Sequence, residues 1–525
     1  MIGCEQMKIR KSMPSRGEEY FNSNEFRSNL RKHAVRGAGA TMVSQFSSFI
    51  IHMVGVVFLA RLLTPEDFGL VAMVAAIYVF FRLLRNFGLT DATIQEKELD
   101  HRKVSTLFWV NAAFSVLITL SFMALGPVIS WFYNEPRITW IAVVISLDSF
   151  FGGLVTQHRA LLKRNFQFYK NAAIEIPAAL GGFGTAIFLA WYGWGYWAIV
   201  MRWVVSALVE MIASWTLCRW RPGLPAFGAG VMPMIRFGIN MMGNFTVGYF
   251  STYLDKILIG WRYGSQSLGY YDRAYYLFMA PAQNMATPLT HVAVATLSKL
   301  REEPEKYRRY YLNAVSTIAF IGFPLSAMLT VMSNDVILLL LGPQWGETAQ
   351  IFSVFGLAIG IQMIYATNAW IHISLGRSDR WFRWSIFGTI CTTISFLVGL
   401  PFGPLGVVIA YTASIYILTG PCLWYAGKPI NLKLADIVLE IWKYYLSALC
   451  TGFLYWYILH SFSIISSILN GLNIFTRISL SVAFCSISYI LMVITLYQSA
   501  KPVTKIISVG WEMVPNVFSK RISGT

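Results

Sequence analysis

Stretches of about twenty apolar residues recur from one end of this chain to the other, the length a helix needs to cross hydrocarbon. Fourteen can be marked, at about 38–60, 69–92, 104–126, 138–158, 172–192, 196–217, 234–258, 269–297, 310–332, 348–373, 381–400, 404–426, 440–461 and 475–498. The gaps between them are too short to hold a folded soluble domain. In lipid every backbone polar group must be satisfied within its own segment, so each stretch reads as a helix. The expected fold class is an all-α polytopic membrane protein with about fourteen transmembrane helices.

Composition agrees. Of 525 residues, 56% are hydrophobic and 13% charged, against about 45–50% and about 25% in soluble domains. Mean hydropathy is +0.54. Disorder, coiled coil, collagen and a disulfide scaffold are excluded by these figures. The six cysteines, Cys4, Cys218, Cys391, Cys422, Cys450 and Cys485, never stand as C-x-x-C. They read as small buried hydrophobes, so no disulfide, metal or redox cofactor is expected. A net charge of +17 would suggest nucleic acid in a soluble protein. Here it is assigned to loops that meet anionic lipid headgroups, and no nucleic-acid partner is expected.

Residues 1–36 are polar and basic. They read as a cytosolic tail, not as a cleavable signal, whose short charged part runs straight into an apolar stretch. With that tail inside, Lys and Arg crowd alternate loops, as in Arg159, Lys163, Arg164 and Lys170, or Lys299, Arg301, Lys306, Arg308 and Arg309. The remaining loops hold only Arg61, Arg137, Arg262 and Arg477. Both termini are therefore expected in the cytoplasm.

Spans 1–2 and 7–8 share a pattern of residue classes. Arg36 and Arg236 stand at the first and seventh spans, Phe68-Gly69 and Leu268-Gly269 at the second and eighth, and Asn111-Ala112 and Asn313-Ala314 in the third and ninth. Any two helical hairpins can share such a pattern by chance. Taken as a repeat, its even shift makes it parallel, with a pseudo-twofold axis along the membrane normal. The expected organisation is a basic tail (1–36), a six-helix lobe (37–217), a second six-helix lobe (231–426), and two further helices with a cytoplasmic tail (427–525).

Charge inside hydrocarbon is costly, so each instance needs a reason. Arg82, Asp148 and Glu210 lie well away from both ends of their spans. Arg82, Arg85 and Asn86 share one face by i, i+3, i+4 spacing, as do Arg202, Ser206 and Glu210 by i, i+4, i+8. Such faces meet protein or water, not lipid. Span 7 adds a stripe of Arg236, Asn240, Asn244, Gly248, Ser251 and Asp255. Span 8 adds Asp272, Tyr276, Gln283, Thr287 and His291, and span 10 adds Gln362, Tyr365, Asn368 and His372. Two readings stand: a hydrated cavity with a cationic wall, or buried ion pairs, such as Arg82 with Asp148, that merely lock helices. Near the span ends, Glu175, Arg236, Lys256, Asp272 and Arg273 are equally explained by snorkelling.

No motif for nucleotide sugars, metal hydrolysis, serine nucleophiles or ATP hydrolysis is present. The chain is read as a transporter and not an enzyme, with no catalytic residues.

Two runs carry a family resemblance. FLARLLTPEDFGLVAM, from Phe58 to Met73, resembles the first hairpin of bacterial polysaccharide exporters, and LLLLGPQW, from Leu338 to Trp345, resembles the segment before their tenth span. The chain is thereby similar to the polysaccharide transporter branch of the multidrug/oligosaccharidyl-lipid/polysaccharide (MOP) superfamily, in particular the Wzx-type flippases that include the colanic acid exporter. The resemblance implies two six-helix lobes in a V, with two extra helices. It implies a monomer in the bacterial inner membrane that flips undecaprenyl-diphosphate-linked oligosaccharide repeat units to the periplasmic leaflet by ion-coupled alternating access. A polymerase and glycosyltransferases of the same pathway are the implied protein partners. A cationic lumen facing the diphosphate maps onto Arg82, Arg85, Arg202, Arg236, Lys256 and Arg273. Asp148, Glu210, Asp255 and Asp272 are left as ion-coupling groups or structural partners. The alternatives are a drug or cation antiporter of the same superfamily, and a membrane-embedded biosynthetic enzyme or scaffold.

Overall fold

The computed structural model describes residues 30–86, 89–96, 99–226 and 230–504, with side chains described outside 30–42, 86, 236–247, 251, 281–288, 291 and 470. Arg236, Asn240, Asn244, Ser251, Gln283, Thr287 and His291 thus lie outside the described side chains, as does Asn86. Among the described residues every regular element is helical. The chain divides into two compact units at Tyr249–Phe250.

The first unit contains α1 (Leu30–Leu62), α2 (Pro65–Asn86), α3 (Leu89–Gln95), α4 (His101–Tyr133), α5 (Arg137–Gly153), α6 (Thr156–Arg164), α7 (Phe168–Trp191) and α8 (Tyr196–Leu217). The turn into α2 is written in its residues. Thr64 Oγ1 accepts from the Asp67 amide at 3.2 Å, and Asp67 accepts from the Thr64 amide at 2.9 Å. This reciprocal cap, with Pro65 at the first helical position, starts the helix. Asp100 caps α4 in the same way, accepting from the Lys103 amide at 2.6 Å.

Lipid offers helices no hydrophobic drive to associate, so small residues let backbones close. Gly182 of α7 shows this against α8: a Cβ there would sit 1.9 Å from Ser206 Oγ and 2.9 Å from the Arg202 carbonyl oxygen.

The turns of this unit gather by end. Arg137 Nη2 donates to Glu66 at 2.6 Å, and the Cβ position of Gly195 lies 2.9 Å from Asp67 Oδ1. The α1–α2, α4–α5 and α7–α8 turns therefore meet. Exposed Trp131, Trp140, Trp191, Tyr192 and Trp194 ring that end, as an interfacial aromatic belt does. At the opposite end, Arg164 donates to the carbonyls that close α3, Thr93 at 3.0 Å and Ile94 at 3.1 Å. There the segment after α8 is tied to α4 by Trp109 Nε1 to the Gly223 carbonyl at 2.8 Å and by Trp220 Nε1 to His101 Nδ1 at 3.1 Å. These two groups of loops are the ones that the alternation of Lys and Arg separates.

α9 (Met232–Lys299) crosses the division and is broken at Gly264, whose φ of 81° and ψ of −177° are not helical. That conformation suits glycine. The second unit continues with α10 (Pro304–Val331), α11 (Ser333–Leu340), α12 (Gly346–Ala366), α13 (Asn368–Ser374), α14 (Ser378–Gly399), α15 (Gly403–Gly427), α16 (Leu434–Ser461), α17 (Ser463–Gly471) and α18 (Ile474–Tyr497). Its loops also gather by end. Tyr263 donates to the Leu400 carbonyl at 2.6 Å, and Arg477 pairs with Asp335. Arg308 reaches the Asn431 carbonyl at 3.3 Å.

The chain is a multi-pass membrane protein. Ten helical stretches among the described residues are long and apolar enough to cross a membrane, or eleven if the bent pair α5–α6 is one span. The expected fourteen is not reached. Ser378–Ile430 counts once, although α14 and α15 run through it. Met232–Lys299 is not among the stretches, and carries Asp255, Lys256, Arg262, Asp272 and Arg273 in its middle. Two expected spans are also interrupted. The fourth breaks by 40° between Gly153 and Thr156, where two glycines weaken the helix and Thr156 Oγ1 takes the Gly152 carbonyl at 3.0 Å. The tenth breaks at Thr367, whose hydroxyl takes the Ile364 carbonyl at 2.7 Å.

Candidate functional site

The polar side chains of the first unit fall into three groups. In the first, Arg85 of α2 donates to Asp148 of α5, at 2.9 Å to its carbonyl and 3.4 Å to its carboxylate. Tyr78, two turns back on α2, donates to the same carboxylate at 2.6 Å and lies 2.8 Å from Ser149 Oγ. Gly152 makes the space: a Cβ there would stand 2.1 Å from Arg85 Nη1. The pairing of Asp148 with Arg82 is thus corrected. Arg85, one turn on, takes it.

The second group is an ionic bridge. Arg159 of α6 donates to Glu210 of α8 at 2.6 Å and to Glu175 of α7. Ser44 of α1 adds a hydrogen bond to Glu175 at 3.1 Å. One guanidinium therefore ties α6, α7 and α8, and one hydroxyl adds α1. Sequence placed Arg159 in a loop, as a topological cation. The signal that could have found it was Glu210 itself, a deep carboxylate that needed a cation from outside its own helix.

Third come Arg82 and Arg202. Both set their guanidinium carbons over Trp203, at 5.3 and 5.5 Å from the ring centroid, and Arg202 also lies 5.0 Å from the Phe183 centroid. Cation–π contact leaves the edges of the Arg82 guanidinium able to donate. Among the described residues no carboxylate lies in salt-bridge range of Arg82, which is half-buried.

The second unit holds its charges along α9. Lys256 Nζ lies 2.6 Å from Asp272 Oδ1, and Arg273 pairs with the other oxygen of the same carboxylate. Asp255 accepts from Tyr271 at 2.6 Å and from the Lys256 amide at 2.8 Å. Both cross-pairs join residues sixteen apart, centred on the break at Gly264, so the two halves of α9 fold back on one another. Lys256 also stands 4.8 Å from the Tyr275 centroid, and Arg273 5.4 Å from that of Tyr276. Of the expected lumen cations, Lys256 and Arg273 are engaged by Asp272, Arg85 by Asp148, and Arg82 by an aromatic face. Tyr78 and Trp203 were not anticipated, because the identity of a contact across helices leaves no trace in spacing along one helix.

Among the described residues no three His, Cys, Asp or Glu side chains gather in a way that could hold a metal ion. Outside the spans, Arg137 donates to Glu135 at 2.8 Å and holds its carboxyl below the usual carboxylate range.

The family described as polysaccharide biosynthesis protein matches residues 58–350. The lipopolysaccharide biosynthesis protein WzxC of Escherichia coli (strain K12) is 24% identical over 428 residues, 80% of this chain and 86% of that protein. The succinoglycan biosynthesis transport protein ExoT of Rhizobium meliloti (strain 1021) is 24% identical over 365 residues, 69% of this chain and 73% of its own. Among solved structures, the lipid II flippase MurJ in an inward closed conformation superposes with a TM-score of 0.71 at 14% identity, covering 87% of this chain and 98% of that one. At that identity the likeness speaks for the fold.

Proposed function

The chain belongs to the polysaccharide biosynthesis protein family, and from that premise we propose that it flips undecaprenyl-diphosphate-linked oligosaccharide repeat units from the cytoplasmic to the periplasmic leaflet of a bacterial inner membrane. Both termini are on the cytoplasmic side in this reading, and an ion gradient drives the cycle. The product feeds a surface polysaccharide, with a polymerase and glycosyltransferases acting on either side of the step.

The observation that carries the reading is Arg82. Its guanidinium sits on a spanning helix, over an indole and, among the described residues, with no carboxylate in salt-bridge range. A cation is kept at depth only for a reason. A diphosphate supplies one, since it cannot enter hydrocarbon unpaired, and a guanidinium stays ionised and grips two phosphate oxygens at once. Arg202, over the same indole, is the second donor proposed for the cargo, with Lys256, Arg273 and Arg236 as further cations along its route. A cationic wall disfavours cationic drugs, which argues against the antiporter.

The test is a strain lacking the chain. Lipid-linked repeat units should accumulate in the inner leaflet while surface polysaccharide disappears, and the chain supplied in trans should restore both. Normal polysaccharide, or loss of polysaccharide without accumulated intermediates, would overturn the proposal.

A further inference from the structure

The connection between α16 and α18 contains a nine-residue helix, α17 (SIISSILNG), without a single charged residue. Phe462 alone joins it to α16, and Leu472 and Asn473 join it to α18. Both neighbours are long and apolar enough to span the membrane. Links of one and two residues reach no more than about 7 Å, so α17 is held at the membrane surface.

Its side chains sort by angle. At about 100° per residue, Ile464, Ile465 and Ile468 fall within an arc of about 100°, whereas Ser463 and Ser467 lie outside it, centred about 130° from its middle. Exposure follows a third direction. Ile464 is 75% and Ile468 61% exposed, while Ser466 and Leu469 are half-buried and turned toward the protein. Exposed Phe462 and Phe475 flank the helix, and exposed Phe453, Trp456 and Tyr457 continue the apolar surface onto α16. An interfacial helix usually adds Lys or Arg on its polar face to bind anionic headgroups, and α17 has serines there instead.

We propose that α17 lies in the plane of the bilayer interface, with Ile464, Ile465 and Ile468 sunk among acyl chains and Ser463 and Ser467 in water. The partner of the apolar face is lipid, because that face is continuous with the surface that α16 presents to the bilayer. Insertion rests on apolar burial alone, so it is independent of anionic lipid. It holds whether or not the chain is a flippase, and whichever side of the membrane α17 occupies.

The experiment uses the full chain with its native cysteines replaced and a fluorophore on one introduced cysteine: Ile464→Cys, Ile468→Cys, Ser463→Cys or Ser467→Cys. Each variant is reconstituted in phosphatidylcholine vesicles with and without phosphatidylglycerol. Doxyl-labelled lipid should quench the probes at 464 and 468, and aqueous iodide those at 463 and 467, equally in both compositions. Iodide quenching at all four positions overturns the proposal. So does failure of both quenchers at 464 and 468, which would mean that protein covers the face. Doxyl quenching that appears only with phosphatidylglycerol overturns the charge-independent mode.

Discussion

Arg82 and Arg85 lie one helical turn apart on α2, and their substitution should have opposite consequences. Arg85→Ala leaves the Asp148 carboxylate buried without its cation. Breaking a buried pair costs about 3–5 kcal/mol. Here the carboxylate contact is long, 3.4 Å, and Tyr78 still donates at 2.6 Å, so about 2–3 kcal/mol is expected. At about 1.4 kcal/mol per tenfold, that is a loss of roughly 30- to 150-fold in the folded-to-unfolded ratio. Membrane abundance of Arg85→Ala should fall, and Arg85→Ala with Asp148→Asn should recover it, since no buried charge is then left alone. Arg82→Ala removes only a cation–π contact worth about 0.5–1 kcal/mol, so abundance should hold. Export of polysaccharide should nevertheless be lost, and Arg82→Lys should restore it in part, because the charge returns without the two-pronged grip. The assay is membrane level by immunoblot beside surface polysaccharide by sugar analysis, in one strain. Equal falls in abundance for both single variants would refute the division of roles. So would export restored by adding Asp148→Ala to Arg82→Ala.

Arg159→Met should destabilise the first unit by about 2–4 kcal/mol, discounted because the partners are part-exposed, and adding Glu175→Gln and Glu210→Gln should recover most of it. Thermal melts in detergent read both, and no recovery would remove the ionic bridge from the account. Cysteine introduced at exposed Asn334 should react with an impermeant thiol reagent added outside the cell, and cysteine at exposed Glu303 should not; the reverse pattern inverts the topology. Arg137 lowers the folded-state pKa of Glu135, so this pair stabilises above the ordinary carboxylate range. Its contribution is lost as pH falls through and below about 4. A melt of Arg137→Gln should therefore lose acid sensitivity relative to the parent, and parallel curves would contradict the linkage.

Sequence revealed what depends on one helix or one turn. The gathering of loops by end follows from the distribution of Lys and Arg. Depth along a span singled out Arg82, Asp148 and Glu210. Partner choice was not legible. Arg82 and Arg85 share a face, and only the placement of α5, with Gly152 clearing room for a guanidinium, assigns Asp148 to Arg85. Arg159 was hidden because α6 continues past the bend at Gly153–Thr156, which carries a cation expected in a loop to two half-buried carboxylates. The count of fourteen spans is not confirmed, because α14 and α15 merge into one apolar stretch and α9 falls outside the stretches counted. Apolar runs mark lengths of chain, and the bends that divide or join them are set by single hydroxyls and glycines.

The fold-back of α9 about Gly264 bears on how this protein is made. Lys256 and Asp272 are sixteen residues apart, and ribosomes add about 5–20 residues each second, so the ammonium waits roughly one to three seconds for its carboxylate. Until then the first arm has Asp255 beside Lys256 but lacks the carboxylate that the ammonium contacts. Once both arms of α9 have left the ribosome, they can leave the translocation channel together as a hairpin whose Lys256 and Asp272 charges cancel. A residue at 264 that could not adopt its positive φ would oppose this fold-back and keep Lys256 from Asp272.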